Sequence, residues 1–150
     1  MKLITQSFLF ILVLIYPLVS AGAGVTFHSS ETNKKLGLPI SDATQIGNVL
    51  YLSGQLGNLP GKPVLVEGGI GPETEQTLAN IRSVLEAQGA AVDDIASCTV
   101  YLVDKKDRPT FGKIYREFFK ENYPARTTVF VKSLALDARI EITCLAALSK

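Results

Sequence analysis

Ile95-Ala96-Ser97-Cys98-Thr99-Val100-Tyr101-Leu102-Val103, followed after Asp104-Lys105-Lys106 by Asp107-Arg108-Pro109-Thr110-Phe111-Gly112-Lys113-Ile114-Tyr115-Arg116-Glu117-Phe118-Phe119, decides the fold class. The first nine residues are rich in β-branched and aromatic side chains and are bounded on both sides by charged residues, which predicts a long strand. The apolar spacing then changes: Phe111, Ile114, Tyr115, Phe118 and Phe119 recur at helical intervals. Asp107 can cap this helix and Pro109 suits its first turn. The aromatic stripe is expected to face the core and not to form a binding box.

Outward from this strand and helix, the same alternation continues. Downstream, Asn122-Tyr123-Pro124 ends the helix, and two strands are expected at 127–131 and 139–148, joined by a loop over 134–138. Upstream, residues 43–56 read as a hairpin turning at Gly47-Asn48 and closed by Ser53-Gly54-Gln55. Asn58, Pro60, Gly61 and Pro63 break the pattern before a short third strand at 64–66. A helix over 73–88 places Thr74, Leu78, Ile81 and Leu85 on one face and stops at Gly89. The result is an α+β domain, a mixed sheet with both helices on one face. Its other face, rich in Val, Ile and Leu, needs a partner, so oligomerisation is expected, with small-molecule clefts between subunits.

The chain has 150 residues, and its beginning differs from the rest. Lys2 precedes an unbroken apolar run over 8–16, and Val19-Ser20-Ala21 and Ala21-Gly22-Ala23 offer small-residue cleavage patterns. Residues 1–21 are read as a signal peptide cleaved near 21–23; the alternative, an uncleaved anchor, requires about 20 apolar residues, and Pro17 interrupts the run. A single domain over 22–150 follows, periplasmic or secreted, with no stable membrane association after cleavage. The 15 basic and 14 acidic residues nearly cancel, which gives no electrostatic reason to expect a nucleic-acid partner. His28 is the one histidine, expected as a mobile surface residue, and no metal site can be argued from the ligand spacing. Cys98 and Cys144 lie in apolar, strand-like runs and are expected as buried free thiols; export leaves a disulfide open.

Pro124-Ala125-Arg126-Thr127-Thr128-Val129 and Ile140-Glu141-Ile142 resemble the C-terminal signature of the RidA/YjgF (Rid, L-PSP) family. Leu38-Pro39-Ile40-Ser41, Val49-Leu50-Tyr51-Leu52-Ser53-Gly54-Gln55, Leu85-Glu86-Ala87-Gln88-Gly89 and Thr99-Val100-Tyr101-Leu102 follow the family's order and spacing. The resemblance implies a chorismate-mutase-like fold, a homotrimer of barrel-like form, and cofactor-independent hydrolysis of 2-imino or enamino acids to 2-keto acids. It puts the anchoring arginine at Arg126, the water-positioning glutamate at Glu141, and backbone ligand contacts at Ser53-Gly54 and Thr127-Thr128. Two positions depart from the best-known members. Ile40 stands where many have a tyrosine or phenylalanine over the ligand, leaving an aliphatic wall and altering substrate preference. Thr128 replaces a cysteine that acts chiefly through its backbone.

These residues suit that chemistry. A guanidinium fork matches the carboxylate of a 2-imino acid with two parallel charge-assisted hydrogen bonds. A carboxylate set among Ile140, Ile142, Leu145 and Ala146 is costly to bury without a task, and Glu141 can orient or deprotonate the attacking water. The structural alternatives are an ion-paired surface Arg126, and a Glu141 that is solvated or paired with Arg139 or Lys132. Three rival functions are a carboxylate-binding module without turnover, a protein-protective holdase, and an endoribonuclease. The last is disfavoured by a single histidine and near-neutral charge.

Overall fold

The computed structural model describes residues 24–148. The expected signal segment, its cleavage point and residues 22–23 lie outside them. Strand β1 (Val25–His28) leads into a five-residue helix, α1 (Glu31–Lys35), which Ser30 caps by accepting from the Asn33 N–H. The hairpin β2 (Ala43–Ile46) and β3 (Val49–Leu52) turns at Gly47, whose φ of 60° requires glycine. Then come α2 (Ile70–Ala87), β4 (Ile95–Leu102), α3 (Arg108–Phe119), β5 (Ala125–Phe130) and β6 (Ile140–Ala147). The six strands form one sheet in the order β1-β2-β3-β6-β4-β5, antiparallel throughout except for the β4–β5 pair.

Period-two alternation divides the sheet into two faces. Leu50, Leu52, Cys98, Val100, Leu102, Ile140, Ile142, Cys144 and Ala146 point to the helix side, where they meet Leu78, Ile81 and Leu85 of α2 and Phe111, Tyr115 and Phe119 of α3. The mixed sheet with helices on one face is the architecture the sequence implied. The opposite face carries Phe27, Tyr51 and Leu145 in one cross-strand row, all at least 38% exposed. Ile46 and Val129 extend this apolar surface.

Several local expectations are corrected. The polar lead-in contains β1: His28 pairs with Ala43, and its Nε2 lies 3.3 Å from Gln45 Oε1, so it is a partly buried strand residue. Residues 64–66 form no strand; only Leu65 bridges to Asn58, because the prolines around it leave few ladder donors. Helix α2 starts at Ile70, three residues early, with Gly69 supplying a φ of 77° at its N-cap and Pro72 tolerated in the first turn. Asp107 does stand at the N-cap of α3, but its side chain caps nothing. Instead it accepts two hydrogen bonds from the Arg139 guanidinium, Nε and Nη2 each at 2.9 Å.

The expectation of free thiols fails. Cys98 and Cys144 are directly opposed on β4 and β6, and a disulfide joins them across a Cα separation of 4.1 Å. Directly opposed residues of neighbouring antiparallel strands come within bonding reach when both side chains face the same side. Sequence shows the two strands but not their register.

Candidate active site

The turn after β3 and the start of β6 are held together by backbone bonds. The Gln55 N–H donates to the Ile142 carbonyl at 2.8 Å, and the Ile142 N–H returns to Gln55 at 3.0 Å. This ladder sets Gly54 beside Glu141 so closely that a Cβ on Gly54 would fall 2.0 Å from Glu141 Oε1. A side chain at position 54 would therefore have to push the Glu141 carboxylate aside. Glu141 is half-buried on the open face of the sheet, and burial raises its carboxyl above the ordinary range. Among the described residues it has no ion pair or hydrogen bond. Arg139, one proposed structural partner, is committed to Asp107 at 2.8 Å.

Both donors of Ser53 are used within the chain. Its N–H donates to the Asp42 carbonyl at 3.0 Å and its hydroxyl to the Ser41 carbonyl at 2.6 Å. The Gly54 N–H has no partner among the described residues and is the donor left at this turn. Ile40 is 53% exposed in the loop preceding β2.

Arg126 lies elsewhere. It is on β5, an edge strand, in register with the core residue Cys98, so its side chain leaves on the helix face. Its guanidinium carbon sits 4.7 Å from the ring centre of Tyr115 and 5.3 Å from that of Phe111, a cation–π platform that fixes a long side chain. The stripe of α3 thus fills the core and carries a cation as well. Among the described residues, no acid pairs with Arg126. Thr127 and Thr128 follow on the same edge, Thr127 exposed on the open face and Thr128 half-buried on the helix face.

One chain therefore brings Glu141 to Ser53-Gly54 but does not bring Arg126 to Glu141. The two project from opposite faces of the sheet.

Around Arg126 is a depression of about 480 Å³ lined by Lys105, Arg108, Pro109, Phe111, Gly112, Arg116 and Arg126. A neighbouring one of about 350 Å³ shares Gly112, Arg116 and Arg126 and adds Tyr115, Tyr123 and Pro124. The three further cations were not recognised in the sequence. The available signal was Arg108-Gly112-Arg116, two arginines flanking a glycine at four-residue intervals on one helical face. Among the described residues, no three His, Cys, Asp or Glu side chains cluster as metal ligands would, and no helix is long and apolar enough to cross a membrane.

The family model described as Endoribonuclease L-PSP matches residues 35–148. A 2-iminobutanoate/2-iminopropanoate deaminase of Dermatophagoides farinae is 38% identical over 104 residues, covering 69% of this chain and 81% of that protein. The human protein of the same name is 38% identical over 108 residues, covering 72% of this chain and 79% of its own. The crystal structure of RidA from the Antarctic bacterium Psychrobacter sp. PAMC 21119 superposes with a TM-score of 0.70 at 33% identity, covering 73% of this chain and 89% of that one. In fold, motifs and sequence, the chain belongs to the endoribonuclease L-PSP family, the RidA/YjgF group.

Proposed function

We propose that this protein hydrolyses reactive 2-imino and enamino acids to 2-keto acids and ammonia, without a cofactor, at sites assembled between copies of the chain. The observation that carries this reading is Glu141: an unpartnered carboxylate, made more basic by burial and held against Gly54 with an unpartnered N–H beside it. Arg126, paired with no acid among the described residues and braced on Tyr115 and Phe111, takes the substrate carboxylate with its fork. Glu141 accepts a proton from water as the water oxygen bonds to C2 of the imine. Glu141 returns that proton to the nitrogen, giving the neutral carbinolamine, and then carries the C2 hydroxyl proton to the same nitrogen as the C–N bond breaks, so that ammonia leaves and the C2 oxygen becomes the keto oxygen. The names of the mite and human relatives favour the same chemistry.

Since Arg126 and Glu141 leave opposite faces, the Arg126 edge of one copy meets the Glu141 face of the next, and a trimer closes the ring. The exposed apolar row on the open face favours such burial. Ile40, Thr127 and Thr128 complete the wall of the cleft. The Cys98–Cys144 disulfide fits the export that residues 1–21 suggest, to periplasm or exterior. The test is conversion of imines generated in situ by an amino-acid oxidase. Product formation above the buffer rate, lost in Arg126→Ala and Glu141→Ala, supports the reading; folded trimer without rate enhancement across neutral and acidic imines overturns it.

A further inference from the structure

The cations beside Arg126 are out of proportion to the chain. With 15 basic and 14 acidic residues the protein is nearly neutral, yet Lys105, Arg108, Arg116 and Arg126 line one depression that, among the described residues, no acid lines. None of the four forms an ion pair among the described residues. Like charges gathered around a concavity repel one another, and an anion in the cavity relieves that repulsion. Gly112 lies between Arg108 and Arg116 in the lining, and a Cβ there would stand 3.9 Å from Arg116 Nη1, an ordinary contact distance. Tyr115 lines the adjoining depression, and its buried hydroxyl has no hydrogen-bond partner among the described residues.

We infer that Lys105, Arg108 and Arg116 form a second anion subsite next to Arg126, and that the preferred substrates are dicarboxylic 2-imino acids, the imines of acidic amino acids. This rests on the proposed deaminase reading: Arg126 holds the carboxylate adjacent to the imine carbon, and the neighbouring cations hold the side-chain carboxylate. A single carboxylate would leave three of the four positive charges uncompensated. A depression of about 480 Å³ with Phe111 in its lining has room for a four- or five-carbon diacid.

The test compares kcat/KM for imines generated from aspartate and glutamate with that for imines generated from alanine and 2-aminobutyrate. Wild-type protein is expected to favour the acidic pair by at least about tenfold, the worth of one charge-assisted contact, with the preference declining as salt rises. Arg108→Gln with Arg116→Gln is expected to lower the acidic-to-neutral ratio by about tenfold or more; an unchanged ratio overturns the inference. Calorimetric binding of the stable products separates this from failure of the deaminase reading. If no imine is turned over but 2-oxoglutarate binds at least tenfold tighter than pyruvate, and the double variant abolishes the difference, the subsite stands without the chemistry. Equal binding of the two keto acids, or displacement of 2-oxoglutarate by micromolar single-stranded RNA, overturns it.

Discussion

Oxidation state should dominate the stability of this domain. The Cys98–Cys144 bond spans 46 residues of sequence, and closing a loop of that size in the unfolded chain removes about 4 kcal/mol of entropy at 25 °C on the chain-entropy account. A domain of about 125 residues unfolds with an entropy near 260 cal/mol/K, so that loss corresponds to a melting shift of about 15 °C. Comparing the oxidised protein with the same protein unfolded and refolded under reductant keeps both sulfurs in the core and so avoids a cavity term. Circular dichroism melts give the shift, and thiol titration in denaturant should find no free thiol in the oxidised sample. With both cysteines 2% exposed, reductant added to folded protein should act only as fast as the sheet opens. Two titratable thiols in the freshly purified protein, or a reduced form melting within about 3 °C of the oxidised one, would refute the reasoning.

Three further outcomes follow from the site. Gly54→Ala must displace the Glu141 carboxylate it would otherwise meet at 2.0 Å, so kcat should fall by about 10²-fold while the melting temperature barely moves; unchanged turnover would show that the carboxylate is not where water is activated. For Glu141, burial raises the carboxyl pKa, so the acid limb of kcat/KM should lie above the ordinary glutamate range. The same shift means the folded state prefers the protonated form. Its contribution to stability is present below the unfolded pKa and lost as pH rises through the folded one. Glu141→Gln should therefore be more stable than wild type at pH 7 but not at pH 4, as urea titrations at the two pH values would show. Tyr115→Phe removes a buried hydroxyl with no partner and should leave stability unchanged or raise it by about 1 kcal/mol in urea titration; a loss of 2 kcal/mol would reveal a missed hydrogen bond.

The long periodic segments were legible in the sequence because each has one dominant face: β4 alternates into the core, and α3 repeats aromatics every four residues. What depends on register was not. The disulfide, the seat of Glu141 against Gly54 and the exit of Arg126 on the helix face all follow from which residue lies opposite which across the sheet. Asp107 looked like a cap because local sequence cannot show Arg139, 32 residues away, claiming its carboxylate. The motif singled out Arg126 and Glu141 as candidates, yet nothing in the spacing of an arginine on one strand and a glutamate on another indicated opposite faces. Lys105, Arg108 and Arg116 drew no notice in the sequence because the depression that gathers them exists only after folding.

The central claim, a site split between copies, is tested most directly by mixing Arg126→Ala and Glu141→Ala protomers. Each variant alone should be inactive on imines generated in situ. In hybrids formed by joint unfolding and refolding at equal amounts, about one quarter of the inter-subunit sites should draw an intact Arg126 from one copy and an intact Glu141 from its neighbour. Recovery of about a quarter of wild-type activity is the predicted result. Hybrids of confirmed mixed composition that remain inactive would contradict it.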